Sequence, residues 1–156
     1  MGKFFAFLLL FSMTAFGAGS VTVTKTKKTF GRTGNMEVVQ IDWTADAADG
    51  SVPNTNITMS GFVQKIVTNP GATAPTANYD MALGDPEDTA LDALAGALAN
   101  RHTTSTEQVY PTVAGTPGTV SSRTVFLPPG TYQFQLTNNA VNSATGRVLV
   151  FLADVP

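Results

Sequence analysis

The sequence predicts an all-β protein, an antiparallel β-sandwich of about seven to eight strands, with a barrel as the alternative. Three observations carry that expectation. Apolar residues recur at period two in one segment after another, the repeat of a strand with one buried face. Clusters of Gly, Pro, Asn and Asp separate these segments at the spacing of turns. Charged residues make up only 13% of the 156 residues, about half the roughly 25% usual for soluble proteins. Threonine, a strand former, occurs 23 times. With 43% hydrophobic residues the chain has the material for a core and does not read as disordered.

The elements follow in order. Residues 20–28 (SVTVTKTKK) place Val21 and Val23 on one face. Lys25, Lys27 and Lys28 form a basic end of the kind that keeps an edge strand from pairing with other chains. After the turn FGRTGN, the segment EVVQIDWT puts Val39, Ile41 and Trp43 on one face and Val38, Gln40 and Asp42 on the other. Trp43, the sole tryptophan, is expected as a core anchor rather than a sugar-stacking platform. A polar loop covers 45–56. Ile57, Met59, Gly61 and Val63 then resume period two, with Phe62 and Ile66 opposite, until Asn69-Pro70-Gly71 ends the strand.

Tyr79, Met81 and Leu83 form the next half-buried face. The stretch from Pro86 to Asn100 is ambiguous. Asp85-Pro86-Glu87-Asp88 is a strong helix start, and Leu91, Leu94 and Leu98 continue at helical spacing. The competing reading is a hairpin that turns at Pro86-Glu87-Asp88 and returns through Leu91 to Ala95. Further on, residues 122–127 form a strand, Pro128-Pro129-Gly130 a turn, and residues 131–137 a strand with Tyr132, Phe134 and Leu136 inward. The run VLVFLA (148–153) is apolar on both faces, as for a strand covered on both sides. Trp43, Tyr79, Tyr132, Phe134 and Phe151 are the expected core aromatics.

Residues 1–17 read as a secretory signal peptide. Lys3 is the positive n-region, Phe4 to Phe11 the apolar core, and Ala15 and Gly17 the small residues before cleavage at Ala18. The remaining residues, 18–156, form a single β-sandwich domain of ordinary size. The absence of cysteine is compatible with export and excludes disulfide scaffolds.

Chemistry is sparse. His102 is the only histidine and lies in a Thr- and Ser-rich loop, so Cys–His dyads and histidine metal clusters are excluded. Asp85, Glu87, Asp88 and Asp92 are the densest acidic group. They lack the alternation and sixth-position glycine of an EF-hand and read as carboxylates that cap a turn. No phosphate loop follows a strand, and a net charge of -2 argues against nucleic acid. No catalytic residue, cofactor or metal ligand is expected. Arg101 and Tyr110, flanking the loop 102–108, are the candidate partner-binding anchors, because Arg and aromatic residues dominate interface energetics. Glu107 and Gln108 beside Arg101 read as a hydrogen-bonded brace for that loop.

Four pieces in a fixed order resemble small β-rich virion structural proteins of tailed bacteriophages: APTANYDMAL, the acidic turn into LDALAGALANR, TEQVYP, and GRVLVFL. The match runs from Ala74 to the C-terminus, with VVQIDWTADAADG as weaker support upstream. The resemblance implies a hairpin at the acidic segment, with Leu91 to Ala95 as strand, although the residues alone leave a short helix open. It also implies a non-enzymatic role as a capsid decoration or tail- or fibre-associated module. Its partners would be other virion proteins and further copies of itself, with no small-molecule substrate. The leader supports a second class, an exported bacterial cell-surface or adhesion domain, so the expected location is the virion or the extracellular space. A secreted hydrolase using the acidic group is the third.

Overall fold

The computed structural model describes residues 17–30, 34–111 and 125–153. The expected signal peptide, the first turn and residues 122–124 of an expected strand lie wholly or mostly outside them. Seven strands form one antiparallel sheet: β1 (Ser20–Phe30), β2 (Gly34–Thr44), β3 (Thr55–Pro70), β4 (Asp80–Gly84), β5 (Glu107–Val109), β6 (Val125–Thr137) and β7 (Thr145–Ala153). The order is β1-β2-β7-β3-β6-β4, with β5 paired to the C-terminal part of β3. The sheet is open, with β1 and β4 at its ends. It is a sandwich-like sheet and not the barrel.

The long strand β3 joins the two layers. Its first half pairs with β6 from Thr55 to Val63, and its second half pairs with β7 from Phe62 to Pro70. Two irregularities interrupt its ladders, the first with the extra residue on β6 and the second with Gln64 of β3 as the extra residue. Between Met59 and Gly61 the ladder with β6 shifts, and between Val63 and Lys65 the ladder with β7 shifts. Extra residues at such bulges bend a strand and sharpen its twist. The bend folds the sheet on itself: Trp43 of β2 lies 5.9 Å from Tyr79, which precedes β4. From β1 the Lys25 ammonium donates to the carbonyl of Thr58 in β3.

Period two placed most of the core. Val39, Ile41, Trp43, Ile57, Met59, Val63, Tyr79, Met81, Leu83, Tyr132, Phe134 and Leu136 are all buried. Four expectations need correction. Ile66 is buried with Val63 rather than facing away, because Gln64 is the extra residue of the bulge and the alternation restarts after it. Pro128-Pro129-Gly130 is not a turn. Leu127 pairs with Gly61 and Gly130 with Met59 on the same strand, so β6 runs straight through and the prolines occupy the bulge. Proline lacks the ladder N–H and is tolerated at such a site. β7 is covered on one side only: Val148, Val150 and Leu152 are buried, whereas Leu149 and Phe151 are half-buried on the other face. Phe151 is therefore not a core aromatic.

The segment from Pro86 to Asn100 is neither helix nor regular strand. It returns antiparallel along β4 through single bridges, Gly84 with Asp92 and Tyr79 with Arg101, separated by successive turns. Ala95, Gly96 and Asn100 have positive φ, which a helix does not allow. Leu94 and Leu98 reach the core from these turns, while Leu91 stays 62% exposed.

Candidate interaction surface

The outward face of β2, β7 and β3 is built from residues that alternate with the core. Register sets it out in rows: Met36, Ala153, Phe62 and Phe126; then Val38, Phe151 and Lys65; then Gln40, Leu149, Val67 and Gln108; then Asp42, Arg147 and Asn69. One end is thus apolar and the other polar. At the apolar end the rings of Phe62 and Phe126 lie 5.0 Å apart, and Phe126 is 43% exposed. The Lys65 ammonium sits 4.6 Å from the centre of the Phe151 ring, a cation–π contact.

At the polar end Arg147 Nε donates to Asp42 Oδ1 at 2.6 Å. Burial works to raise the Asp42 carboxyl, but hydrogen bonds from Gln40 and Arg147 and the charge of Arg147 outweigh it and hold the group below its ordinary value. This pair borders an open cavity of about 370 Å³, lined also by Trp43, Asn69, Gly71 and Gly146. Gly146 is required there, because a Cβ would run into the Trp43 ring.

The acidic residues are spent mainly on backbone donors. Asp92 accepts from the N–H groups of Leu83 (3.0 Å), Leu94 (3.1 Å) and Gly96 (2.7 Å). Asp85 accepts from Glu87 N–H at 2.9 Å, and Asp88 from Ala90 N–H at 3.0 Å. No group of three or more potential metal ligands occurs among the described residues. These carboxylates hold turns, as their spacing suggested. His102 does likewise: its Nδ1 accepts from the N–H groups of Thr104 (3.1 Å) and Ser105 (3.0 Å).

Arg101 and Tyr110 flank the loop 102–108 but differ in role. Arg101 donates through Nε and Nη2 to the Ala99 carbonyl at 3.0 and 2.7 Å, and Nη1 lies 3.6 Å from Glu107. It braces the loop from a half-buried position, with Glu107 also accepting from His102 N–H at 2.9 Å. Tyr110 is 52% exposed, with its hydroxyl on Gln108, and is the freer of the two to meet a partner. Next to this brace, burial, aided by the Glu107 carboxylate and opposed by Arg101, pushes the Tyr79 phenol up to about 12.

Sequence reasoning did not single out the outer face. Its signal was present in the two-sided apolarity of VLVFLA and in Phe62. Comparison with protein-family models, curated proteins and solved structures yields no match, so functional reasoning rests on the chain itself.

Proposed function

We infer that the protein is a non-enzymatic virion structural protein of a bacteriophage, a capsid decoration or tail- or fibre-associated module that acts by surface association. The observation that carries the reading is the outer face: Phe62, Phe126 and Phe151 stand half-buried or exposed on a sheet whose opposite side is already a packed core. Aromatic side chains on such a face are the usual anchors of protein contacts. Asp85, Asp88, Asp92 and His102, side chains that a hydrolase would use, are engaged instead in holding turns. The resemblance from Ala74 onward points the same way.

Co-sedimentation tests the reading. Purified protein is mixed with particles assembled from the products of neighbouring genes and, separately, with intact bacterial cells. Binding to particles, unchanged by His102→Ala, is expected. Binding to cells alone would favour the exported adhesion domain. A hydrolytic activity lost in Asp88→Asn with the fold intact would replace both by an enzyme.

A further inference from the structure

We propose that copies of this chain assemble head to tail, the 85–91 loop of one copy seating on the outer-face patch of the next. The inference rests on the reading of the protein as an assembly module and identifies a second copy as the occupant of the patch.

The patch defines its complement. Phe62, Phe126, Phe151 and Leu149 form an apolar ground, and the Lys65 ammonium stands on it over Phe151. Among the described residues Lys65 makes no ion pair; the two pairs are Arg101–Glu107 and Arg147–Asp42. The patch therefore suits an apolar knob with a carboxylate beside it. The loop after β4 presents that combination. Pro86 to Leu91 are exposed throughout, and Leu91 is the most exposed large hydrophobic residue among the described residues, at 62%. Glu87 and Asp88 stand next to it, neither in an ion pair among the described residues.

The loop is also rigid. Asp85 N–H donates to the Leu91 carbonyl at 2.8 Å, and Leu91 N–H to the Asp88 carbonyl at 2.9 Å. Asp85 and Asp88 close two further turns inside it, and the Gln135 amide holds the Thr89 carbonyl at 2.9 Å. A pre-ordered loop loses little entropy on docking. It does not serve its own patch: Pro86 lies against Gly130, which pairs with Met59 and shares the inward face of β6 with Tyr132, whereas Phe126 stands on the opposite, outward face. A face-to-face dimer centred on the patch would instead set two Lys65 ammonium groups together, a like-charge contact that disfavours association. A heterologous contact closes into a ring or continues as a filament, depending on the rotation between copies. One loop on one patch covers less than the ~1,200 Å² of a stable interface, so assembly depends on concentration and is promoted where copies are crowded on a surface.

The test is a charge exchange read by sedimentation velocity on the full chain. Wild type should self-associate at concentrations up to ~1 mM, the weak end of specific affinities. Lys65→Glu alone and Glu87→Lys with Asp88→Lys alone should each weaken association about tenfold or more. Each should keep the wild-type circular dichroism spectrum and melting temperature within a few degrees. Mixing the two variants should restore association, because each face then meets an opposite loop. Leu91→Ser should weaken it without rescue. A monomeric wild type over this range overturns the inference, and so does association that survives both charge reversals. A monomer that still co-sediments with particles overturns the self-assembly while leaving the virion reading intact.

Discussion

Replacing Gly61 by alanine should destabilise the protein far more than one methyl group usually does. Gly61 is buried at the bend of β3, with φ of +125°, a region that L side chains rarely adopt. Backbone strain of that kind costs about 1–3 kcal/mol. The new Cβ would also lie 2.6 Å from the Ala153 carbonyl oxygen, which is backbone and not a flexible side-chain tip. Overpacking of a close-fitted interior adds about 1–3 kcal/mol. The two together come to roughly 2–6 kcal/mol, against a total stability of about 5–15 kcal/mol for a domain. Urea unfolding followed by the fluorescence of Trp43, the sole tryptophan and a buried one, measures it directly. A variant within about 0.5 kcal/mol of wild type, the size of an ordinary surface substitution, would refute the assignment of Gly61 as the residue that lets β3 turn between layers.

Thr68 is buried and its hydroxyl has no hydrogen-bond partner among the described residues, so Thr68→Val should stabilise by about 1 kcal/mol in the same urea assay; a loss would mean that the hydroxyl is satisfied. Phe134→Ala removes a fully buried aromatic and should cost about 3–5 kcal/mol, with a loss below about 1 kcal/mol counting against its place in the core. Tyr79 supplies a pH signature. Its phenol is raised to about 12 in the fold against 10.0 in the ordinary group, so folding favours the neutral form. The associated stability is fully present below pH 10 and is lost as pH rises from 10 towards 12. The loss by pH 12 is at most about 2–3 kcal/mol. Urea midpoints of wild type should fall more steeply across that window than those of Tyr79→Phe, and equal slopes would refute the account.

Most of the sandwich was legible because alternation is a local signal. Val39, Ile41 and Trp43, or Tyr132, Phe134 and Leu136, need no knowledge of their partners to declare an inner face. The failures sit where the local signal is ambiguous. A bulge adds one residue to a strand, so Gln64 reverses the apparent facing of Ile66 without any change in composition. Pro128-Pro129-Gly130 has turn chemistry but lies within a ladder, and only pairing with β3 distinguishes the two. Leu91, Leu94 and Leu98 imitate a helix because successive turns, each closed by a bond to the carbonyl three residues back, return two of them to the core. The candidate anchors Arg101 and Tyr110 flank the loop 102–108, yet a sequence does not reveal that the guanidinium is already held by Ala99 and Glu107. The outer patch was missed because its residues are spread over β3, β6 and β7 and become neighbours only through register.

The bend that closes the core and the patch that faces outward come from the same few residues. Gln64 lets Val63 and Ile66 both point inward, and between them it leaves Lys65 on the opposite face beside Phe151. With simple alternation from Val63, Lys65 would point into the core, where an unpaired ammonium is costly. One bulge thus seals the interior and sets a cation on an apolar surface. Gly61, two residues before Val63, lets the chain turn so that Phe62 pairs with Phe126 on one neighbour and Ala153 on the other. The outer patch is therefore a geometric consequence of how the sheet folds over.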